Sequence, residues 1–353
     1  MLKIGQKEYT KEEIRRYFGS LEQIAGIQRY NYSRGKAKGM SAIEVRNGTG
    51  FRFVVLPDRG MDIGLCEYKG IPINFRSPVG ECSPAYYEPS VDNWFRSFMG
   101  GLLTTCGLTY LGSPCEDNGE KLGLHGRISN IPAEKISTET IWQDNNASFI
   151  IKGKVREAKT LSTNITLSRK ITAVLGENKI IIDDIVTNEG FTKTPHMILY
   201  HFNIGHPILG KESILYTNSK KVLARDKIAS SRNEAYSEYL SPTSSYPDTV
   251  YYHDLDTNNK YCYTALINNR LNIGVYLKYK KDNLPVFVQW KYTNEGNYVA
   301  GLEPANCHVE GRDREREKYS LIELSSGEQR NYQIEVGILK DKQEVNKFKN
   351  KFS

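Results

Sequence analysis

The sequence of 353 residues lacks the segments that mark membrane-inserted and exported proteins. No stretch approaches the roughly 18 apolar residues that a membrane-spanning helix needs. The N-terminal stretch MLKIGQKE has no apolar segment of the kind found in a signal peptide. We therefore expect a cytoplasmic protein without a membrane partner.

Common cofactor and nucleophile motifs are also absent. None of the six cysteines is spaced C-x-x-C, so we expect no zinc or dithiol site and instead reduced, partly buried thiols. The sequence contains no phosphate-binding P-loop, strand-linked G-x-G-x-x-G, G-x-S-x-G or H-E-x-x-H. These absences argue against the common nucleotide-, dinucleotide-, serine- and zinc-dependent enzymes, and we expect no cofactor and no metal.

A strong charge of one sign is missing as well. The 48 Lys and Arg residues against 41 Asp and Glu give 48 − 41 = +7. The densest charged run, from Glu310 to Lys318, alternates in sign, so its net field is small. A solvated loop fits this run better than a nucleic-acid site, and we expect no nucleic-acid partner.

Helical patterns occur at the two ends of the chain. Thr10 and Glu13 form a T-x-x-E capping box, and Asp341 opens a charged stretch in which Val345, Phe348 and Phe352 recur on one face. Nearly everything between these ends alternates in polarity, as β-strands do. With no linker and no repeat, the pattern favours one large antiparallel sandwich over the two domains that length alone suggests.

Three pairs of alternating runs read as β-hairpins. The first joins 165–174 to 179–186, the second joins 273–279 to 286–290, and the third joins 322–324 to 332–338.

Three histidine- or carboxylate-bearing segments place polar residues inside apolar patterns. His125 lies between Leu124 and Gly126, where the backbone can approach a ligand closely. A structural histidine in a turn is the alternative.

The second segment runs from Pro195 to Pro207. If it is one strand, His201, Asn203 and Gly205 face one way and His196 the other, so the histidines do not converge as metal ligands. A histidine beside an amide suits a general acid that also binds a polyol. A histidine buried in the core is the alternative.

The third segment contains Gln289 and Lys291 on one strand face, followed by Glu303 between an apolar run and Pro304. A partly desolvated carboxylate has a raised pKa and is a better general base. An ordinary ion pair of Glu303 with a nearby Arg or Lys is the alternative.

Four motifs, in this order, resemble the DUF4432 branch of the galactose mutarotase (aldose 1-epimerase) superfamily. They are LPDRGMDIG at 56–64, GGLLTTCGL at 100–108, LHGR at 124–127 and GLEPAN at 301–306. The resemblance spans roughly residues 40 to 340.

This resemblance implies a mainly all-β protein, a β-supersandwich of large antiparallel sheets with short N- and C-terminal helices. The whole chain, 1–353, would form one domain, with a helical segment at 1–30, the supersandwich at 40–340 and a helix at 341–353. A homodimer is one expectation for its assembly.

The resemblance also implies roles for individual residues. Glu303 corresponds to the general base, His201 to the general acid and His125 to a histidine that orients the ligand. His206 and His196 are the alternatives for the acid. Six residues are predicted to bind substrate: Arg127, Asn203, Gln289, Lys291, Arg76 and Arg59. Among the three arginines, Arg127 is preferred, then Arg76, then Arg59.

The function implied is an isomerase that interconverts the α and β anomers of a free or modified aldose by ring opening, with a small-molecule sugar as its partner. Lys291 and Arg127 would also suit an acidic or phosphorylated sugar. A carbohydrate-binding protein without catalysis, or a sugar lyase or hydrolase on the same sandwich, are the competing hypotheses.

Overall fold

The architecture comes from a computed structural model that describes residues 2–4, 7–232, 234–256, 260–318 and 320–352. Strands dominate the described chain, as the alternating patterns predict. Their bounds, in chain order, are β1 Leu2–Ile4, β2 Lys7–Tyr9, β3 Gly26–Asn31, β4 Ser41–Arg46, β5 Phe51–Leu56, β6 Asp62–Tyr68, β7 Ile71–Pro72, β8 Phe75–Arg76, β9 Gly100–Gly101, β10 Leu103–Leu108, β11 Cys115–Asp117, β12 Glu120–Leu122, β13 Glu134–Gln143, β14 Asn146–Ala158, β15 Asn164–Val174, β16 Lys179–Asn188, β17 Thr194–Gly205, β18 Ser213–Thr217, β19 Ser219–Ala224, β20 Thr249–Leu255, β21 Cys262–Asn268, β22 Ile273–Tyr279, β23 Val286–Asn294, β24 Asn297–Ala305, β25 Ile322–Leu324 and β26 Gln329–Leu339.

Two large antiparallel sheets form the body of the described chain. The first has twelve strands, ten of them in the order β19-β20-β23-β24-β17-β10-β6-β5-β4-β3, with β25 paired to β17 and β7 to β6. The second has eight strands in the order β13-β14-β15-β16-β26-β22-β21-β18. The predicted fold class, a mainly all-β sandwich of large antiparallel sheets, is confirmed.

The described helices are short, and two of them were predicted. They are α1 Lys11–Tyr17, α2 Lys227–Ser230, α3 Arg312–Glu317 and α4 Lys342–Lys349. Thr10 caps α1 with the predicted box to Glu13, and Asp341 caps α4, which buries Val345 and Phe348. None of the described helices has the length and apolar character that a membrane span requires.

Strand β17 shows how the twelve-stranded sheet divides its side chains between two faces. Ile198, Tyr200 and Phe202 pack into the main core between the two sheets. Met197 and Leu199 belong to a second apolar cluster on the opposite face. Because side chains alternate along a strand, His201 also points to this opposite face, which we call the outer face of the sheet.

One predicted hairpin is confirmed and two are wrong. β15 and β16 pair directly. The second pair fails because β22 pairs with β21 and β26 in the eight-stranded sheet, whereas β23 pairs with β20 and β24 in the other. The third fails because β25 pairs with β17 while β26 pairs with β16 and β22. Alternation predicts a strand but not its partner, and here the chain crosses between sheets at both turns.

A buried ionic cluster ties the two sheets together. Arg169 on β15 lies between Asp184 on the same sheet and Asp62 on the other, with Nη2 2.7 Å from an Asp184 oxygen and Nη1 3.3 Å from Asp62. Tyr200 donates to Asp184 at 2.7 Å, and Thr105 donates to Asp62 at 2.6 Å. The side chains of Arg169 and both carboxylates are fully buried.

Candidate functional site

The three residues predicted to be catalytic line one cavity on the outer face of the twelve-stranded sheet. Its volume is about 110 Å³. His201 comes from β17, Glu303 from β24, and His125 from the irregular segment after β12. The structure thus brings together residues that are far apart in the sequence, although their catalytic roles stay predictions.

Strand register places His201 opposite Glu303. Leu199 pairs with Ala305 and Phe202 with Leu302, so positions 201 and 303 face each other between these pairs. Nε2 of His201 lies 3.2 Å from Oε1 of Glu303. The two atoms do not have the geometry of a hydrogen bond, and Oε1 has no hydrogen-bond partner among the described residues. A buried oxygen without a partner can accept a hydrogen bond from a ligand.

Gly301 makes room for the Glu303 carboxylate. The two residues share a face of β24, and a Cβ added at Gly301 would collide with Oε1 of Glu303. It would also come within 2.9 Å of the Cβ of Trp290, which lies across the strand pair. A side chain at position 301 would therefore move the carboxylate.

We expect Gly301→Ala to lower the anomer-converting activity that the sequence resemblance implies by about 10- to 100-fold, because a small displacement of the predicted general base, Glu303, would be costly. The measurement is the conversion rate, with thermal unfolding as a check on the fold. Gly19→Ala is the matched control, since no atom lies within 4 Å of a Cβ there. Wild-type activity in Gly301→Ala would show that the carboxylate position is unimportant.

His125 is held by its backbone in a left-handed conformation, with φ of 57°. Its amide donates to Gly112 at 3.0 Å, and its carbonyl accepts from Gly107 at 3.1 Å. Gly126 follows with φ of 80°, and a Cβ there would collide with the carbonyls of Gly107 and Tyr110. The glycine beside His125 thus allows the backbone to pack closely on itself.

Aromatic rings surround the two histidines. Trp94 stacks on Phe98 with ring centroids 4.6 Å apart and lies 4.8 Å from His125. Trp290 lies 5.4 Å from the ring of His201. The Nδ1 atoms of both histidines are buried and have no hydrogen-bond partner in the described chain.

Burial sets the protonation of these groups. It lowers the pKa of His125 to about 4 and that of His201 to about 3. It raises the pKa of Glu303 well above its usual range, an effect that the charge of Arg225 opposes in part. Burial therefore favours the neutral forms of the two histidines and of Glu303.

The substrate-binding predictions on β23 fall on the other side of the sheet. Val288 and Trp290 line the cavity, so pleating turns Gln289 and Lys291 away from it. The Gln289 amide donates to Tyr239 at 3.0 Å. Lys291 is buried, and burial lowers its pKa to about 8.

The remaining predicted binding residues also lie outside the cavity lining. Arg59 donates to the carbonyls of Ser129, Cys82 and Ser97. Arg76 forms an exposed ion pair with Glu81 at 2.7 Å, and the Asn203 amide donates to the His201 carbonyl at 2.9 Å. Arg127 donates to the Tyr110 hydroxyl at 3.3 Å, beside a different cleft.

The two alternative histidines do not reach the cavity. His196 faces the main core, with Nε2 2.7 Å from the Tyr332 hydroxyl. His206 lies in an exposed turn, near the Leu209 carbonyl. Of the three candidates for a general acid, only His201 lines the cavity.

Arg225 and Asp248 are cavity residues that the sequence did not single out. Asp248 accepts a hydrogen bond from Nε1 of Trp290 at 3.0 Å. Arg225 pairs with its neighbour Asp226 at 3.2 Å. Both lie outside the four motifs, so only the fold shows that they belong to the site.

The described residues contain no group of three or more His, Cys, Asp or Glu side chains arranged to hold a metal ion.

Four buried histidines make folding stability sensitive to acid. Burial lowers their pKa values from 6.5 to about 4 or below, so the unfolded chain binds protons that the folded chain does not, and stability falls as pH decreases. Burial acts in the opposite direction on Glu303 and on Asp62, whose pKa rises to about 7. The histidines are His125, His196, His201 and His253.

Near pH 5 the four histidines of the unfolded chain are almost fully protonated, and the folded chain holds up to about two protons on Glu303 and Asp62, so unfolding takes up about two protons net. Near pH 6.5 the unfolded histidines are only half protonated, so the net uptake is close to zero. We expect the free energy of unfolding to change little near pH 6.5 and then to fall with a slope that approaches about 3 kcal/mol per pH unit near pH 5, at about 1.4 kcal/mol per proton. Urea unfolding at pH 7, 6 and 5 measures this. His206→Gln should keep the slope, because His206 is exposed, and a stability that rises on acidification would contradict the assignment.

Comparison with known proteins agrees with the fold. A family model described as "Domain of unknown function (DUF4432)" matches residues 37–338. No curated protein matches the chain significantly.

Several solved structures share the architecture. One is a protein from Klebsiella pneumoniae with a provisional assignment as an aldose 1-epimerase, at 23% identity and a TM-score of 0.88, over 92% of this chain and 86% of that one. A galactose mutarotase-like protein from Clostridium acetobutylicum is 13% identical, with a TM-score of 0.59 over 90% and 99% of the two chains. A galactose 1-epimerase from Lactobacillus acidophilus is 14% identical, with a TM-score of 0.56 over 89% and 98%. At these identities the likeness shows the fold alone.

Proposed function

Because the chain belongs to the DUF4432 family and has a galactose mutarotase-like fold, we propose that it is an aldose 1-epimerase-like isomerase. It would interconvert the α and β anomers of a free or modified aldose. The observation that carries the proposal is the buried pair of His201 Nε2 and Glu303 Oε1, 3.2 Å apart in a cavity lined by aromatic rings.

The spacing of this pair suits the anomeric centre of a cyclic sugar. The anomeric hydroxyl oxygen O1 and the ring oxygen O5 are bonded to the same carbon, C1, so an acid and a base acting on them must lie close together. Nε2 and Oε1 are near enough for one sugar to reach both at hydrogen-bonding distance.

The number of protons on the His201–Glu303 pair also suits acid–base catalysis. Because burial favours a neutral His201 and a protonated Glu303, the pair carries one proton in total. Moving it from Glu303 to His201 gives the ionised form, in which Glu303 is the base and His201 the acid. The opposite charges attract at this short distance, which offsets part of the cost of burying them.

In the proposed reaction Glu303 takes the proton of O1, and His201 gives its proton to O5. The C1–O5 bond breaks as O1 becomes the aldehyde oxygen. After rotation about C1–C2, His201 takes the proton back from the O5 hydroxyl and Glu303 returns one to O1, which closes the ring on the other face. Each cycle ends with one proton on the pair, so no co-reactant is consumed.

The other cavity residues would hold the sugar. His125 offers an unpaired Nδ1, Trp94 and Trp290 offer aromatic faces for the apolar side of a sugar ring, and Arg225 and Asp248 would bind outlying hydroxyls. The cavity volume, about 110 Å³, lies well below the ~300–1,000 Å³ of pockets for drug-sized ligands. We therefore favour a monosaccharide over an oligosaccharide.

The test is a panel of freshly dissolved single-anomer aldoses, including deoxy and phosphorylated sugars, followed by NMR with and without protein. At least one sugar should reach anomeric equilibrium faster than it does in buffer. Binding without faster conversion would favour a carbohydrate-binding protein that lacks catalysis. Cleavage of an added oligosaccharide would favour a lyase or hydrolase.

A further inference from the structure

A second concavity lies beside the segment that carries His125. His125 lines the cavity described above, whereas Arg127 and Asn130, a few residues further on, line a separate cleft. The cleft has a volume of about 650 Å³. We call it the Arg127 cleft, lined by Arg127, Asn130, Glu157, Arg156, Tyr87 and Tyr110.

Asn130 lines the Arg127 cleft and has a side-chain acceptor without a partner. It is 7% exposed, yet its Oδ1 has no hydrogen-bond partner among the described residues. Its amide nitrogen donates to the Ser129 hydroxyl at 3.3 Å. A buried acceptor without a partner is costly, and a ligand hydroxyl would satisfy it.

Arg127 supplies donors to the same cleft. Its Nε donates to the Tyr110 hydroxyl at 3.3 Å. Its guanidinium forms no ion pair within the described residues, and two other carboxylates, Glu134 and Glu120, pair instead with Arg156 at 3.6 Å and with Arg312 at 2.8 Å. Its remaining N–H groups can therefore donate to a ligand.

The charges of the cleft favour a neutral ligand. Glu157 is buried and accepts from the Leu108 amide at 3.0 Å and the Thr109 hydroxyl at 2.6 Å. It forms no ion pair within the described residues, and Arg156 is already paired with Glu189 at 2.7 Å. Glu120 and Lys159 also line the cleft, so it presents charges of both signs. An ion of either sign would meet a like charge there, whereas a polyol can donate to a carboxylate and accept from the guanidinium.

We propose that the Arg127 cleft is a second binding site, for a neutral saccharide, separate from the cavity of His201 and Glu303. The tyrosines Tyr87 and Tyr110 supply rings and hydroxyls, which suit the mixed polar and apolar surface of a sugar. The cleft has the volume of a pocket for a ligand larger than one ring. The site does not depend on the proposed isomerase activity.

The probes are the methyl β-glycosides of cellobiose, maltose and lactose, observed by saturation-transfer difference NMR. They are neutral, they lack a free anomeric hydroxyl, and two rings exceed the small cavity. The protein is labelled with fluorotryptophan, because Trp94 and Trp290 line the cavity while Trp142 lies on β13 as a remote reference.

We expect at least one probe to bind without shifting the ¹⁹F signals of Trp94 and Trp290. Arg127→Met should weaken this binding by about 10-fold or more, as loss of a charged hydrogen-bond donor does. Glu157→Gln, which keeps the shape of the side chain, is the second variant and should also weaken it. Arg270→Met removes an exposed arginine elsewhere and should change nothing.

Charged analogues provide the last comparison. Disaccharide glycosides that carry a uronic acid or an amino sugar should bind more weakly than the neutral probes. The proposal fails if no probe binds, if binding shifts Trp94 and Trp290, or if folded Arg127→Met and Glu157→Gln both bind like the wild type. Failure of the single-anomer test alone would leave this site standing.

Discussion

Replacing Glu303 by glutamine is expected to slow the interconversion of anomers by about 10²–10⁴-fold, the usual contribution of a general acid or base. The amide keeps the shape of the carboxyl group, so the packing over Gly301 stays intact. It can neither take the proton of O1 nor share one with His201. The loss should therefore appear in kcat, measured by NMR on a single-anomer substrate.

A second Glu→Gln variant separates this effect from a general effect of the substitution. Glu335→Gln changes a carboxylate of β26 in the other large sheet and should leave the rate unchanged. His201→Ala should match the loss in Glu303→Gln, and the double variant should lose little more, because the two groups act as a unit. Full activity in both single variants would show that the pair is not the catalytic acid and base.

Replacing Arg169 by methionine is expected to lower the free energy of unfolding by about 3–5 kcal/mol, because it removes the cation that lies between the buried carboxyl groups of Asp184 and Asp62. Asp184 and Asp62 come from different sheets, so the change removes the ionic link between them. Tyr200, which donates to Asp184, directly precedes His201, so a shift of this cluster should also disturb the cavity. Urea unfolding followed by tryptophan fluorescence measures the loss.

Lys170, the residue after Arg169, offers a close control for this substitution. Lys170 pairs with Asp183 at 3.0 Å on the same two strands, but both side chains are partly exposed. Lys170→Met should change stability by no more than about 1 kcal/mol, as exposed ion pairs do. If Arg169→Met cost no more than Lys170→Met, the cluster would have no special part in joining the sheets.

Much of the fold could be predicted because its local signals are strong. The capping residues Thr10 and Asp341 fix the starts of the terminal helices, and the period-two pattern identifies strands such as β15 and β16. Strand pairing could not be predicted in the same way. The runs at 273–279 and 286–290 look like a hairpin, but the short turn between them carries the chain from one sheet to the other.

The candidate site, like the fold, could be predicted from the sequence only in part. Alternation along β17 correctly separates His201 from His196, and the motif order points to Glu303 and His125. Alternation also separates Gln289 and Lys291 from Trp290, but it does not say which set faces the cavity. That depends on which side of the sheet packs against the other large sheet, a long-range property absent from any local pattern.

The position of Trp94 in the site also could not be predicted from the sequence. It lies in a short 3₁₀ segment, Asn93–Arg96, with no periodicity to mark it. Its place beside His125 depends on how an irregular connection folds back over the sheet. No local sequence signal predicts that packing.

The location of β17 and β24 within the sheet has a consequence for motion. Each has at least three strands on either side, so their amides should exchange with solvent only in rare openings of the whole sheet. We therefore expect the backbone that carries His201 and Glu303 to move little. Trp94, by contrast, lies on a short 3₁₀ segment outside the sheet, packed on Phe98 and His125, and we expect this segment to open more readily than the strands. Movement of the Trp94 segment would then limit the rates of sugar entry and release, whereas the groups on the strands would determine the rate of the chemical step. Substitutions in the two places would therefore alter different steps of the same cycle.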